Sequence, residues 1–260
     1  MDDPAEVVLI TGGRGIAAAV AHGVAAVGKS VFVVSQVDEE VSGLCREISH
    51  LGGRADGVVA DLTDEDAATA AFDRCLDVFN RLDGAVAVAG GSGRRFGDGP
   101  VGEIPLEGWQ QTIAINMTPM FLTVREGVRA MDNGGSIVVV SSVLATHPSS
   151  LFVTHAYAAA KASAHGFVRS VAARHARDRI RVNVIAPGLV DTQMARRAAS
   201  DPDTVAYVTR KQPLAGGLLP PESPAALAVF LLGDGSRHIT GQIIEVDGGW
   251  GVTETDPIVG

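Results

Sequence analysis

Short apolar runs rich in valine and isoleucine alternate with helical stretches along this chain, and that alternation constrains its fold more than any other feature. The run at 7–10 ends at a Thr-Gly-Gly turn, and a helical pattern follows over 16–27. Later strand-like runs are 31–34, 58–60, 85–88, 137–140, 182–185 and 243–246, and later helical stretches are 39–51, 64–80, 106–130 and 156–177. Apolar runs without a period of two indicate strands buried on both faces. The sequence therefore predicts an α/β fold, a doubly wound parallel sheet with helices on both faces.

Length and composition predict one domain over residues 1–260. Hydrophobic residues make up 46 % of the chain, enough for a substantial core, and the sequence has no repeats or linker-like segments. The segment 191–221 breaks the regular alternation with several prolines and glycines. An irregular insertion of this length in a compact domain is more often functional than idle. We expect it to form a substrate lid.

Charge, hydropathy and cysteine usage exclude several classes of function. The net charge is −9 and there is no lysine-rich stripe, which argues against a nucleic-acid partner. No apolar run reaches the roughly 20 residues of a membrane span, and the N-terminus shows no secretory signal, so we expect a cytoplasmic protein without a membrane partner. Cys45, Cys75 and the seven histidines lack metal-ligand spacing, so we expect reduced cysteines and no metal site.

The first strand-to-helix turn has the composition of a phosphate-binding turn. It consists of Thr11, Gly12, Gly13, Arg14, Gly15 and Ile16. Glycines let the backbone approach a pyrophosphate, and the helix N-terminus directs free N–H groups toward it. Asp61, directly after the third strand, can accept a hydrogen bond from an adenine amino group or cap the following helix, and the sequence leaves both possibilities open.

Tyr157 and Lys161 form the pair most suggestive of catalysis. They lie four residues apart in an alanine-rich stretch that favours helix, so their side chains share one face. A fixed ammonium beside a phenol lowers the phenol pKa from its usual value of about 10. A phenol tuned in this way can exchange a proton at neutral pH, as the interconversion of an alcohol and a carbonyl requires.

Together these motifs resemble the single-domain short-chain dehydrogenase/reductase family over roughly residues 6–251. The turn at 11–16 is similar to the family's cofactor turn, and 61–64 to its adenine-side aspartate. The segment 183–192 resembles the one that cradles the nicotinamide, and 241–249 the C-terminal signature. The resemblance implies a Rossmann-like fold and an NAD(P)-dependent oxidoreductase that interconverts a secondary alcohol and a ketone.

Four residues match the family's catalytic set. By this resemblance, Tyr157 is the acid in reduction and the base in oxidation, and Lys161 lowers its pKa and binds the nicotinamide ribose. Ser142 polarises the substrate carbonyl, and Asn116 anchors a water in a proton relay. Ser141 precedes Ser142 directly, so which serine faces the substrate stays open, with Ser142 favoured.

The resemblance also implies a set of residues that contact the cofactor. They are Thr11, Gly12, Gly13, Arg14, Gly15, Ile16, Ser35, Asp61, Leu62, Ala89, Gly90, Tyr157, Lys161, Pro187, Gly188, Val190 and Thr192. The chain departs from the family in three places. The glycine turn lacks one residue between Gly12 and Gly15 and has Ala17 where the third glycine would fall, and the family's Asn-Asn-Ala-Gly is Ala-Val-Ala-Gly at 87–90. Ser142 also lies fifteen residues before Tyr157, about two more than is usual in the family. None of these departures removes a reacting group.

The end of the second strand bears on the choice of cofactor. An acidic residue there accepts hydrogen bonds from the ribose 2′-OH and repels a 2′-phosphate, whereas this chain has Ser35. Arg14 can pair with a 2′-phosphate, and Asp38 can reach a 2′-OH. We expect NADP or NAD, with a slight preference for NADP.

Substrate and assembly are predicted from the resemblance alone. The implied substrate is a small alcohol or ketone, in a pocket lined by Ser92, Arg94, Arg95, Phe96, His147, Phe152, Val153, Met194 and Trp250. Arg94 and Arg95 either bind a substrate carboxylate or phosphate or are simply solvated. The implied assembly is a homotetramer or dimer in which the helical stretches 106–130 and 156–177 pair.

Two other functions stay open at this point. The shortened glycine turn and the lost asparagines allow a cofactor-poor relative that binds a ligand or has a regulatory role. A lyase on the same fold is a further alternative, but its relatives carry arginine where this chain has Lys161. The three-residue gap between Tyr157 and Lys161 also disfavours an enoyl reductase, whose relatives space the pair more widely.

Overall fold

The computed structural model describes residues 5–253, and one sheet of seven parallel strands forms its centre. The strands are β1 (Val7–Thr11), β2 (Ser30–Ser35), β3 (Ala55–Val59), β4 (Gly84–Ala87), β5 (Gly135–Val140), β6 (Ile180–Pro187) and β7 (Ile243–Val246). Their order is β3-β2-β1-β4-β5-β6-β7, with every neighbouring pair parallel. The predicted fold class is confirmed. Residues 1–4 and 254–260 of the predicted domain lie outside the described part of the chain.

Helices connect the strands and cover both faces of the sheet. They are α1 (Ile16–Ala26), α2 (Asp38–His50), α3 (Glu65–Phe79), α4 (Leu106–Ala130), α5 (His155–His175), α6 (Arg196–Ala199), α7 (Pro202–Lys211) and α8 (Glu222–Leu231). The start of α3 shows how the sequence fixes these boundaries: the Asp64 side chain accepts a 2.9 Å hydrogen bond from the Ala67 backbone N–H. At its other end Asn80 adopts a left-handed conformation with φ of 56°, which stops the helix.

Two large apolar clusters, one on each face of the sheet, make up most of the core, and a smaller third cluster contains Val143, Val208 and Trp250. Adjacent residues of a strand point to opposite faces, so Leu9 joins the cluster with α3, α4 and α5, and Ile10 joins the one with α1, α2 and α8. Val138 and Val139 of β5 are divided in the same way. Burial on both faces explains why the strands are apolar without alternation.

The order of the strands determines where a ligand can bind. The chain leaves β1 toward β2 on one side, and β4 lies on the other side of β1, so the direction of winding reverses between β1 and β4. In open parallel sheets, ligands bind at the carboxyl ends of the strands at such a switch point. Thr11 at the end of β1 and Ala87 at the end of β4 are register partners there.

Two predicted segments differ from the structure. The third strand is 55–59 rather than 58–60, because pairing with β2 extends it through Asp56 and Gly57 despite their low strand propensity. The expected irregular insertion at 191–221 contains α6 and α7, so it is substantially helical. Pro202 does not break a helix there but occupies the first turn of α7, where a missing N–H costs nothing, and the side chain of Asp201 caps it.

Candidate active site

An open cleft of about 810 Å³ lies at the carboxyl ends of the central strands. The glycine turn after β1, the loop after β4, the end of β5, the first turns of α5 and the segment after β6 form its walls. The volume falls in the range of sites that hold small molecules and cofactors. Of the predicted catalytic set, Ser142, Tyr157 and Lys161 line the cleft. Asn116 lies behind them and contacts the cleft wall through its bonds to Gly91.

Helix α5 presents Tyr157 and Lys161 to the cleft. The Lys161 Nζ lies 5.8 Å from the centroid of the Tyr157 ring and donates a 3.0 Å hydrogen bond to the Val140 carbonyl at the end of β5. The buried carboxylate of Asp98 accepts hydrogen bonds from the Ala156 and Tyr157 backbone N–H groups, at 2.9 and 3.0 Å. The start of the helix is thereby held in place, and the tyrosine with it.

The pKa values of the pair differ from the predicted pattern. Desolvation raises the pKa of Tyr157 to about 12, and a hydrogen bond with the neighbouring Ser142 hydroxyl lowers it only in part. Desolvation lowers the pKa of Lys161 to about 8. The expectation that Lys161 brings the phenol pKa below its usual value is therefore wrong for this arrangement, because burial of the phenol dominates and the ammonium is bound to Val140.

The two adjacent serines at the end of β5 point in different directions. The Ser142 hydroxyl lies beside the Tyr157 phenol and accepts a hydrogen bond from the Leu144 N–H. The Ser141 hydroxyl donates 2.8 Å to the carbonyl of Lys161 and lies 3.2 Å from Nε2 of His165. Ser142 thus faces the phenol, while Ser141 fastens β5 to α5.

Asn116 connects α4 to the loop after β4. Its amide nitrogen donates to the Gly91 and Thr112 carbonyls, both at 2.9 Å, and its Oδ1 accepts from the Gly91 N–H at 3.1 Å. A Cβ at Gly90 would stand 2.6 Å from this Oδ1 and 3.5 Å from the Lys161 Nζ, and φ there is +150°. Only glycine therefore lets this loop pass between Asn116 and Lys161.

The glycine turn brings its backbone close to two other elements. A Cβ at Gly13 would lie 2.5 Å from the Cβ of Glu40 on α2, and one at Gly15, whose φ is +55°, would lie 2.8 Å from the Cγ2 of Thr192. Both positions thus require glycine. A backbone without side chains at the N-terminus of α1 is what close approach of a pyrophosphate requires, so the shortened turn still fits a dinucleotide.

A carboxylate that the sequence analysis missed lies beside this turn. Glu40 Oε2 accepts a 2.7 Å hydrogen bond from the Ser35 hydroxyl, and Oε1 lies 2.5 Å from Nε of Arg14. That Oε1 is buried, and its contact with the Arg14 guanidinium is an ion pair without hydrogen-bond geometry. Arg14 also donates to Gln193 Oε1 of the segment after β6. The end of β2, which has Ser35 where an acidic residue would select NAD, is thus bordered by a carboxylate from the first turn of α2.

The predicted cofactor residues divide into two groups. Those that line the cleft are Gly12, Gly13, Arg14, Gly15, Ile16, Ala89, Gly90, Tyr157, Lys161, Pro187, Gly188, Val190 and Thr192. Thr11, Ser35, Asp61 and Leu62 are not part of its wall. The Thr11 hydroxyl accepts hydrogen bonds from the N–H groups of Val88 and Ala89. The Asp61 carboxylate accepts hydrogen bonds from the Thr63 N–H and from the Gln36 side-chain amide. Contact of these four residues with a cofactor stays a prediction.

The predicted substrate residues divide in the same way. Ser92, Arg94, Phe152 and Met194 line the cleft. Arg95, Phe96, His147, Val153 and Trp250 do not: Arg95 stacks on the Phe96 ring at 4.5 Å, and His147 lies 3.0 Å from Glu245. Trp250 is buried against Phe152 and Tyr207, which anchors α7 to the domain.

The segment 191–221 is held by contacts near both ends, and its function as a substrate lid stays a prediction. Val190 and Leu219 form an isolated parallel bridge, and the buried amide of Gln212 bonds to the Leu189 N–H at 2.6 Å and the Gly217 carbonyl at 2.7 Å. A Cβ at Gly188 would stand 2.2 Å from the Gln212 oxygen. The segment therefore stands on a fixed base beside the cleft.

Residues 5–253 show neither a ligand cluster for a metal ion nor a helix able to span a membrane. In that part of the chain no group of three or more His, Cys, Asp or Glu side chains is arranged to hold a metal ion. Nor does any helix there have the length and apolarity needed to cross a membrane.

Comparisons with known proteins cover nearly the whole chain. A family model described as Enoyl-(Acyl carrier protein) reductase matches residues 10–251. A cis-4-hydroxycyclohexanecarboxylate dehydrogenase of Sinomonas cyclohexanicum is 36 % identical over 247 residues, which cover 94 % of this chain and 96 % of that protein. A 3beta-hydroxysteroid dehydrogenase of Mediterraneibacter gnavus is 32 % identical and covers 94 % of each chain.

Solved structures of dehydrogenases and reductases also superpose on nearly the whole chain. A short-chain type dehydrogenase/reductase from Mycobacterium ulcerans superposes with a TM-score of 0.89 at 30 % identity, covering 96 % of this chain and 90 % of the other. A variant of actinorhodin polyketide ketoreductase, crystallised with NADPH, superposes with a TM-score of 0.86 at 27 % identity, covering 95 % and 98 %.

Proposed function

Because the chain belongs to the short-chain dehydrogenase/reductase family, and is thus an NAD(P)-dependent oxidoreductase acting on CH–OH and C=O groups, we propose that it interconverts a secondary alcohol and a ketone with Tyr157 as the acid and base. The observation that carries this proposal is the meeting of three groups at the cleft. The Tyr157 phenol, the Ser142 hydroxyl and the Lys161 ammonium come from two elements and are held by backbone contacts.

The mechanism assigns a separate task to each residue. The bound nicotinamide cofactor supplies or accepts the hydride. Tyr157 gives its phenolic proton to the oxygen of a carbonyl substrate in reduction, and the phenolate takes the hydroxyl proton in oxidation. Ser142 holds the same oxygen by a hydrogen bond that strengthens as negative charge develops on it. With a pKa of about 12, the Tyr157 phenol retains its proton at neutral pH, which suits its role as the acid.

Lys161 and Asn116 support the tyrosine. With its pKa near 8, Lys161 is still mostly protonated at neutral pH and places positive charge beside the phenol. Asn116 fixes the loop that passes between itself and Lys161, because its bonds to Gly91 hold that loop in the cleft wall. We therefore assign Asn116 the role of positioning this loop. The water of the predicted proton relay would bind to the same polar atoms of Asn116 and Gly91.

The cofactor would lie along the glycine turn and the segment after β6. Gly13 and Gly15 would admit the pyrophosphate, and Thr192, Val190 and the Pro187–Gly188 backbone would contact the nicotinamide end. The relative crystallised with NADPH supports NADP. Either NADP or NAD is compatible with Arg14 and Glu40, since one is a cation for a 2′-phosphate and the other an acceptor for a 2′-OH.

The substrate we propose is a secondary alcohol on a ring, or the corresponding ketone. Two relatives are named for alcohols on cyclohexane and steroid rings. The far wall of the cleft is apolar, with Leu144, Leu151, Phe152 and Met194 facing it, which suits a hydrocarbon ring. Enoyl reduction, which the description of the family model names, is a weaker candidate because only three residues separate Tyr157 from Lys161.

We also propose a homo-oligomer located in the cytoplasm. Phe121 on α4 is 43 % exposed and makes an edge contact of 6.2 Å with Phe167 on α5, so these helices share a partly exposed aromatic surface that a second copy can cover. Cys45 and Cys75 are free, which agrees with a reducing compartment.

The test is oxidation of cis-4-hydroxycyclohexanecarboxylate and of cyclohexanol with NAD⁺ and with NADP⁺, followed by the absorbance of the reduced nicotinamide. Tyr157→Phe should lower turnover by about 10²–10⁴-fold, because the proton donor is lost, while calorimetric affinity for the cofactor stays unchanged.

Tyr207→Phe is the matched control, since this chain has only two tyrosines and the Tyr207 hydroxyl bonds to Ser149 away from the cleft wall. It should keep most of the turnover. Near-normal turnover in Tyr157→Phe would contradict the proposed role of Tyr157 in proton transfer.

A further inference from the structure

Two arginines that line the cleft have guanidinium groups without a hydrogen-bond partner among residues 5–253. Arg94 stands on the 3₁₀ turn Gly93–Phe96 after β4, and Arg197 stands on α6 in the lid segment, and both line the cleft. Within residues 5–253 neither guanidinium makes a hydrogen bond or ion pair, unlike Arg14, which is paired with Glu40. The cleft therefore holds two guanidinium groups whose N–H donors are free to bind a ligand, although Asp98 and Asp201 partly offset their charge.

The two arginines are close enough to act on each other. Partial burial lowers the pKa of Arg94, and the positive charge of Arg197 lowers it further. Like charges that approach across a cleft repel, so this arrangement costs free energy until an anion lies between them. They come from separate elements, the loop after β4 and the segment after β6, which both contribute to the cleft wall.

The acidic residues nearby are engaged elsewhere. Both oxygens of Asp98 accept backbone N–H groups at the start of α5, and Asp201 caps α7 by accepting from the Thr204 N–H and hydroxyl. These two carboxylates moderate the field of the arginines, but their hydrogen bonds fix them at helix ends. An incoming anion would therefore not compete with a resident ion pair.

From this geometry we infer that Arg94 and Arg197 bind an anionic group, a carboxylate, carried by the substrate on the side of the ring away from the reacting carbon. The inference rests on the proposed function, because it places the reacting alcohol at Tyr157. Guanidinium groups match carboxylates in shape and donate charge-assisted hydrogen bonds. The sequence left open whether Arg94 and Arg95 bind a substrate anion or are solvated. The structure separates the two residues, because Arg94 lines the cleft whereas Arg95 stacks on Phe96.

The test is a binding comparison that needs no turnover. Cyclohexanecarboxylate and cyclohexanecarboxamide have the same ring and nearly the same shape, but only the first is charged. Calorimetric titration of the cofactor-saturated protein should show the carboxylate binding at least about tenfold tighter than the amide. The ratio should fall toward one in an Arg94→Gln/Arg197→Gln double variant, and it should fall with added salt in the wild type.

Arg95→Gln is the matched control, because it removes a neighbouring charge that does not face the cleft, and it should keep the wild-type ratio. Equal binding of acid and amide by the wild-type protein, failure of both to bind, or an unchanged ratio in the double variant would overturn the inference. A loss of cofactor affinity in the double variant would also overturn it, by assigning the pair to the cofactor phosphates. A failed Tyr157→Phe test leaves this ratio unaffected, so the two proposals fail separately.

Discussion

The two ends of the cleft are built in different ways. At the catalytic end, each of the contacts that hold the site joins a side chain to a main-chain atom: Lys161 donates to the Val140 carbonyl, Asn116 bonds to Gly91, and the Asp98 carboxylate accepts from the N–H groups at the start of α5. At the end near the glycine turn, contacts between charged and polar side chains dominate, with Arg14 held between Glu40 and Gln193.

This difference gives the two ends of the cleft different tasks, the geometry of the reacting groups at one end and the choice of cofactor at the other. Main-chain contacts position the reacting groups without a ligand, and such preorganised donors contribute most to stabilising a transition state. Ion pairs between side chains at a partly exposed site contribute little to stability and can be exchanged for a ligand. We infer that substitutions at the catalytic end change the rate of the reaction, while those at the glycine turn change which cofactor binds.

The serine pair offers the sharpest test of the catalytic end. Ser142→Ala should lower kcat by about 10²–10³-fold with little change in cofactor affinity, because it removes a donor to the developing oxyanion. Ser141→Ala should keep kcat and instead lower the free energy of unfolding by about 1 kcal/mol, because it removes the hydrogen bond from β5 to α5. Steady-state kinetics and urea unfolding of both variants provide the measurement, and a kcat loss in Ser141→Ala alone would reverse our assignment.

Lys161 provides a test of stability against pH. Its folded pKa of about 8 lies below the unfolded value of about 10.4, so between these values the unfolded chain binds more protons and the free energy of unfolding rises with pH. Below pH 8 the buried charge costs the fold about 3 kcal/mol. Lys161→Met should therefore stabilise the protein by about 2 kcal/mol at pH 7, after the loss of about 1 kcal/mol for the hydrogen bond to Val140.

The gain should shrink as pH rises from 8 toward 10.4, and chemical denaturation at pH 7 and at pH 10 measures it. Lys29→Met is the control, because Lys29 also donates to a backbone carbonyl, that of Leu232, but is paired with Glu6. That variant should be less stable at both pH values. If the Lys161→Met protein were less stable than the wild type at pH 7, burial of the Lys161 charge would not destabilise the fold.

The sequence predicted what depends on local pattern. The apolar runs gave the sheet, and the spacing of Tyr157 and Lys161 placed both side chains on one face of α5. Glu40 was missed because it reaches the cleft only when α2 packs on Gly13, a contact across 27 residues that no local signal marks. The helical content of 191–221 was not predicted because its prolines suggest irregular structure, whereas Pro202 occupies the first turn of α7 directly after the capping Asp201.

Glu40 is the residue through which the glycine-turn end is tested. Its carboxylate repels a 2′-phosphate and holds Arg14 by an ion pair, so Glu40→Gln should remove the repulsion and free the guanidinium. We expect the ratio of NADPH to NADH affinity to rise about tenfold, or about 1.4 kcal/mol, in calorimetric titrations. Glu39→Gln is the control, because Glu39 is the exposed neighbour and does not line the cleft. Turnover at saturating cofactor should change little in either variant, since neither side chain reaches Tyr157. If Glu40→Gln lowered kcat while the affinity ratio stayed constant, the separation between a rate-setting end and a cofactor-selecting end would be wrong.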